Sequence, residues 1–280
     1  MHHETCVLMF SGNEIAEKID PSTADKFGDW TKIKPHGESS SSSDNNTPQD
    51  LNEYRMVVFG LPSSGVSSTA NTIVGEKLFQ EGVTFDGTTK KCQMESRTRF
   101  NYVLKVVDTP GFVFDKKMRT AEELFPGLKK SIMLFPPGPH IVLVVLPLDR
   151  TNEDLHDMIH CLKCFENLSR HVVVILTKID KIEKDRAGWK QEIFESENLS
   201  ELLEFCGKRV VFFDNTSNSE QQVKELLDVV IKVVERNMSE CFNTDYFSKK
   251  TNKKLELVLQ DHEKNRKSVY ERIQNFVNWK

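Results

Sequence analysis

The sequence predicts an α/β domain built around a mostly parallel central sheet with helices on both faces. Short runs rich in Val, Ile and Phe recur along the chain with almost no polar interruption, as strands buried on both faces require. Amphipathic stretches with helical spacing lie between them, and such alternation implies crossover helices and parallel pairing. The 280 residues exceed the roughly 100 to 200 of one typical domain without reaching two large ones. One main domain with appendages is therefore expected.

Residues 1–50 read as an N-terminal appendage. Asn13 to Ile33 holds enough apolar residues for a short helix or two, with Phe27 and Trp30 as docking side chains. Ser39 to Ser43 and the following DNNTPQD form a polar linker that cannot pack. The main domain, residues 51–246, supplies strands at Tyr54–Phe59, Tyr102–Val107, Ile141–Leu146, Val172–Leu176 and Val210–Phe213. Its helices are expected at Ser67–Val74, Ala121–Met133, Glu153–Asn167, Trp189–Phe205 and Gln221–Arg236. Lys91–Phe100 precedes the second of these strands by a very short turn, as an antiparallel edge hairpin would. Residues 247–280 form a C-terminal helical extension.

Composition narrows the function classes. Charged residues make up 29% and hydrophobic ones 38%, a balance that builds a core and does not resemble a disordered chain. The longest apolar stretch, Ile141 to Leu148, already contains Pro147 and falls far short of the roughly 18 to 20 residues that cross a bilayer. With no basic region ahead of its short apolar run at Cys6–Phe10, the N-terminus does not read as a signal peptide, so a cytoplasmic protein is expected. Six scattered cysteines are too sparse for a disulfide scaffold. A formal charge of −4 argues against a nucleic-acid partner held by global positive charge.

Three stretches carry chemistry. Gly60 to Ser67, GLPSSGVS, joins the first strand to a helix with the spacing of a phosphate loop, G-x-x-x-x-G-K-[ST], but has Val66 in the Lys position. Gly60 and Gly65 let backbone N–H groups turn onto phosphate oxygens, the helix adds its dipole, and Ser67 can place a hydroxyl on Mg²⁺. A plain Gly-Pro-Ser turn into a helix is the alternative. Asp108 to Gly111, DTPG, follows a buried strand: its Asp can hold a Mg²⁺ water and its Gly can offer an N–H to a γ-phosphate. Thr177-Lys178-Ile179-Asp180 ends another strand and fits the [NT]-K-x-D guanine-reading box. There Asp180 accepts from the base N1–H and N2–H₂ while the stem of Lys178 covers the ring. Adenine lacks that donor pair, so the carboxylate selects against ATP. A strand ending in a charged loop is the bland alternative for this box alone. All three stand in order at strand C-terminal ends, where open α/β sheets bind ligands.

With these boxes the chain resembles the immunity-associated GTPases, the GIMAP or IAN group, which are P-loop G-domain proteins related to septins and chloroplast-import GTPases. The resemblance covers about Asn52 to Tyr246. Ser67 to Phe79 is similar to the family's S-x-T-G-N-x-I-L-G-x-x-x-F pattern, with Ala70 in place of a Gly. Thr89 to Gln93, TKKCQ, resembles its switch I segment, which makes Thr89 the candidate Mg²⁺ threonine. Pro137 to Val145 resembles its P-G-P-H strand start. Cys206 to Asn215 resembles its C-G-x-R…F-N-N segment, placing Asn215 at the base-contacting position and Asp214 in place of the first Asn.

The resemblance implies GTP or GDP with Mg²⁺ as cofactors. It assigns phosphate contacts to Gly60, Ser63, Ser64, Gly65, Ser67 and Ser68. Thr89, Asp108 and Gly111 would sense Mg²⁺ and the γ-phosphate, with Ser67, Thr89 and, through water, Asp108 as metal ligands. Thr177, Lys178, Asp180 and Asn215 would read the base. It also implies a homodimer or oligomer formed across the nucleotide face, in which Lys130 is the candidate basic group supplied to a partner subunit.

Several positions depart from the pattern. Val66 removes a charge-assisted hydrogen bond of about 1.5 to 3 kcal/mol, roughly 10- to 150-fold in affinity. Lys77, Lys90 and Lys91 are the candidate substitute cations. Phe112 stands where small GTPases carry a water-positioning Gln, so no self-contained catalytic residue is visible. Two readings result. One is a guanine-nucleotide-dependent switch or self-assembling scaffold, at most a weak GTPase with slow or dimer-dependent hydrolysis. The other is a pseudo-GTPase interaction module.

Two features lie outside the boxes. His156, His160 and Cys164, with Cys161 beside them, have the spacing of metal ligands on one helix, but a mixed polar helix flank accounts for them as well. The tail from Ser248 carries nine Lys or Arg against four acids and keeps an apolar stripe at Leu255, Val258, Val269, Ile273 and Phe276. Such a helix can lie weakly on an anionic membrane surface, pair with another helix as a coiled coil, or fold back on the main domain.

Overall fold

β1 (Glu53–Gly60) runs through the interior of the sheet and is buried from Met56 onward. In this computed structural model the described residues are 51–81, 92–112, 125–148, 153–181, 189–217, 219–243, 250–258 and 260. The chain divides between Asp50 and Leu51, and the second unit is the one described below. β1 lies between β3 (Tyr102–Asp108) and β4 (Ile141–Pro147), both parallel to it. Outward from β4 come β5 (Val172–Thr177) and β6 (Val210–Phe213), again parallel, giving a six-stranded sheet of order β2-β3-β1-β4-β5-β6. The exception is β2 (Gln93–Arg99), which pairs antiparallel with β3 at the edge, as the Lys91–Phe100 hairpin predicts. Its polar sequence QMESRTR suits a strand with one partner, whereas all residues of β4 and β5 are buried.

Successive strand side chains point to opposite faces, so the apolar runs feed two cores. Met56, Val58, Leu104, Leu143 and Ile175 pack with α1 (Val66–Val74) and α6 (Gln221–Arg236). Val57, Phe59, Val142, Val144 and Val174 face the other way, onto α2 (Pro126–Leu134), α3 (Glu153–Lys163) and a helix at residues 197–205. Helices therefore cover both faces, the doubly wound arrangement expected.

Two helix expectations need correction. The stretch Trp189–Phe205 is two helices, α4 (Trp189–Glu195) and α5 (Glu197–Phe205). Ser196 between them is extended, with ψ of 120°, and its carbonyl accepts the amides of Leu199 and Ser200 to start the second helix. Serine readily leaves a helix interior for a cap position, and a one-residue break does not disturb the apolar periodicity. α3 likewise stops at Lys163 rather than Asn167. Cys164 and Phe165 donate to carbonyls only three residues back, which tightens the helix end.

The start of the predicted tail is part of the domain. Residues 250–258 are helical and form α7, whose Leu255 is fully buried in the core that contains Phe242. Lys250 and Lys254 pair with Glu166. The fold-back reading holds for this segment, while Val269, Ile273 and Phe276 lie outside the described residues. Among the described residues no helix is long and apolar enough to cross a membrane.

Candidate nucleotide site

The candidate site is built where β1, β3 and β5 end together. β1 stops at Gly60, whose position leaves no room for a side chain: a Cβ there would lie 2.3 Å from Val145 O and 2.7 Å from Ser64 Oγ. The loop then turns tightly, with Ser64 N donating to Leu61 O, and Gly65 adopts φ of +92°, the left-handed conformation that launches α1. Ser63, with φ of 62°, is exposed and Ser64 is buried. α1 has no acidic residue in its first turn and no side-chain cap, so its N-terminal amides and dipole face the loop.

The second stretch closes over the first. Asp108 is buried at the end of β3, and Ser67 Oγ donates to its Oδ2 at 2.7 Å. Thr109 donates to Val58 O, and Phe112 N donates to Gly60 O at 2.8 Å. Gly111 passes so near the loop that a Cβ would approach Gly60 O to 2.9 Å. Phe112 is 2% exposed and packs against Phe59 and Phe125. It is a core residue and cannot position a water.

The third stretch joins the end of β5 to the loop. Thr177, 1% exposed, donates from Oγ1 to Ser64 O at 2.9 Å and approaches Leu146 O at 3.3 Å. It tethers β5 to the phosphate loop. Lys178 takes the left-handed conformation, with φ of 62°, and Asp180 is exposed in a short 3₁₀ turn. Asn215 is held against α1: Nδ2 donates to Thr69 Oγ1 at 3.0 Å, and Oδ1 accepts from Thr72 Oγ1 at 2.9 Å. A Cβ on Gly65 would lie 3.4 Å from Asn215 Nδ2, so this residue does sit beside the loop.

Other candidates are placed less centrally. Val66 is 9% exposed and joins the apolar core with Ile73 and Phe213. Lys77 is exposed beyond α1, and Lys130 is exposed on α2. Thr89, Lys90 and Lys91 lie outside the described residues. His156 and His160 approach Glu201 at 3.7 and 3.3 Å, but Lys163 Nζ holds the same carboxylate at 2.6 Å. Cys161 faces the core, where burial pushes its thiol far up. Among the described residues no three such groups converge on a metal position.

Sequence reasoning missed Asn71 and Glu81. Asn71 Oδ1 accepts the amides of Leu78 and Phe79, and its Nδ2 donates to Phe79 O and to Glu81 Oε1. Glu81 Oε2 also accepts from Ser68 Oγ at 2.9 Å. The S-x-T-A-N-x-I pattern contains the Asn, but nothing in the sequence marks the Glu.

Whether a phosphate chain with Mg²⁺ suits this site can be judged from the residues. Ser64 Oγ is buried with no hydrogen-bond partner among the described residues. The glycine turns hold the backbone where side chains would clash, and Ser67 with Asp108 offers the hard oxygen ligands Mg²⁺ prefers. The residues fit the group.

A glycine turn feeding a helix, an aspartate on that helix's first serine and a T-K-x-D strand end together define a P-loop G domain. Residues 54–269 match the AIG1 family, and the chain belongs to it. It is 26% identical over 201 residues to immune-associated nucleotide-binding protein 9 of Arabidopsis thaliana, covering 69% of this chain and 58% of that protein. It is 28% identical over 188 residues to GTPase IMAP family member 8 of Mus musculus, covering 65% and 27%. The chain thus spans only part of the length of the curated relatives it matches. Among solved structures, Toc33 from Arabidopsis thaliana in complex with GDP and Mg²⁺ superimposes with a TM-score of 0.51 at 23% identity, covering 70% of this chain and 90% of that one. A dimerisation-deficient mutant of Toc33 gives 0.52 at 19%, covering 67% and 86%. At these identities the likeness is one of fold.

Proposed function

We propose that this chain binds guanine nucleotide with Mg²⁺ and acts as a nucleotide-dependent switch or self-assembling scaffold, with slow or partner-dependent hydrolysis. The observation that carries the reading is the 2.7 Å contact between Ser67 Oγ and Asp108 Oδ2 under a phosphate loop tied at Gly60 and Ser64. Ser67, and Asp108 through water, would hold Mg²⁺, which supplies positive charge against the β- and γ-phosphates. Gly60, Gly65, Ser64 and the first amides of α1 bind phosphate oxygens, while Lys178 and Asp180 select guanine. Relatives named as nucleotide-binding proteins and GTPases support this reading. A solved structure of Toc33, for whose GTPase activity dimerisation is important, supports the self-association part of this reading.

The second reading, an interaction module without nucleotide, is favoured by Val66, whose side chain is committed to the core. Titration with a fluorescent GTP analogue and Mg²⁺, with Val66→Lys as the control, separates the two. Saturable binding by the natural protein supports the first reading. Binding by the variant alone refutes it and establishes the second. Competition by ATP equal to that by GTP removes the role given to Asp180, and an unchanged single-turnover rate in Lys130→Ala removes the trans-acting cation. For the tail, truncation after Gln260 spares buried Leu255; persistence of vesicle or dimer association would exclude residues 261–280 as the contact.

A further inference from the structure

The carboxylate of Glu81 lies against the first two turns of the helix that follows the phosphate loop. Its two oxygens accept from Ser68 Oγ at 2.9 Å and Asn71 Nδ2 at 2.7 Å. The chain reaches this point by a fixed route, because Asn71 clamps the amides of Leu78 and Phe79 and Phe79 is itself a buried anchor. Glu81 is therefore held two residues beyond a rigid attachment. α1 has no acidic residue of its own in its first turn, and through Ser68 the carboxylate of Glu81 lies against that turn.

We propose that Glu81 is a built-in competitor for the phosphates, a residue that sets nucleotide affinity. The inference rests on the nucleotide reading above. A phosphate chain seated at the N-terminus of α1 draws on the same dipole and the same Ser68 hydroxyl that Glu81 now uses. Two anions at one helix end repel, and here no Lys stands at position 66 to screen them. Nucleotide binding then displaces Glu81 from Ser68. Glu81 thus weakens binding in the same direction as Val66 but by a separate device: one removes an attraction, the other adds a repulsion.

The test is a fluorescent GDP titration with Mg²⁺ on the natural protein and on Glu81→Gln, Val66→Lys and the double variant, paired with melting of each nucleotide-free protein. Glutamine keeps the shape but removes the charge, so Glu81→Gln is expected to tighten binding roughly tenfold in both backgrounds. It should also lower the nucleotide-free melting temperature by about 2 °C through loss of charge-assisted hydrogen bonds. The opposite signs of these two effects mark a competitor, since a merely structural Glu81 lowers both stability and affinity. If Val66→Lys binds nucleotide while Glu81→Gln leaves affinity equal or weaker, the competitor role is refuted and the nucleotide reading stands. If none of the four proteins binds, both are refuted together.

Discussion

Replacing Thr177 with Val removes one hydroxyl from the centre of the site and nothing else. Valine has nearly the same shape and the β-branching that suits a strand. The hydroxyl donates to Ser64 O at 2.9 Å in a position only 1% exposed, and its 3.3 Å approach to Leu146 O is the weaker of its two contacts. Removing a donor that satisfies a buried carbonyl costs about 1 to 3 kcal/mol. For a domain of about 150 to 250 residues this lowers the melting temperature by about 2 to 12 °C. Thermal and urea denaturation of the nucleotide-free protein measure the loss, with Thr177→Ser as the variant that retains the donor. Nucleotide affinity is expected to fall as well, because the loop loses its tie to β5. An unchanged melting temperature combined with loss of guanine-nucleotide affinity would refute the tether and leave Thr177 as a direct base contact.

Further outcomes follow from other contacts. Gly60→Ala drives a methyl group to 2.3 Å from Val145 O on the neighbouring strand, and denaturation should register a loss of about 2 kcal/mol or more. Arg99 donates to Thr72 O and Ile73 O at the C-terminal end of α1, so Arg99→Ala should cost about 1 to 2 kcal/mol in a urea titration. Burial, and next the Arg55 guanidinium, push His140 down to about 4, and the Arg55 amide donates to its Nδ1 at 3.1 Å, which keeps the ring neutral. The unfolded chain therefore takes up this proton first, so stability is complete above about pH 6.5 and falls as pH drops toward 4. Urea midpoints at pH 7 and 5 should differ accordingly, and His140→Asn should reduce the difference.

The three boxes were legible because phosphate, Mg²⁺ and guanine chemistry demand particular residue types at short spacing, and short spacing survives in a linear text. Ser67 and Asp108, singled out in two of those boxes, meet at 2.7 Å. The tether made by Thr177 was not legible: its motif says where it stands in the chain, while the carbonyl it satisfies belongs to a loop 113 residues away. Glu81 was invisible, since a glutamate beside Gln80 is ordinary on any surface. The break at Ser196 was missed because periodicity reports which residues face a core and not whether the backbone between them is continuous.

The sequence alone thus determined the sheet, its mainly parallel pairing, the positions of the phosphate loop and guanine box, and membership of the G-domain class. These depend on local patterning and on burial of alternate side chains. Only the tertiary structure decided that Val66 and Phe112 belong to the apolar cores, that the tail begins by folding onto the domain through Leu255, and that Glu81 faces the helix bearing Ser68. Each of these rests on which distant surface a side chain meets, and that is settled by packing rather than by position in the chain.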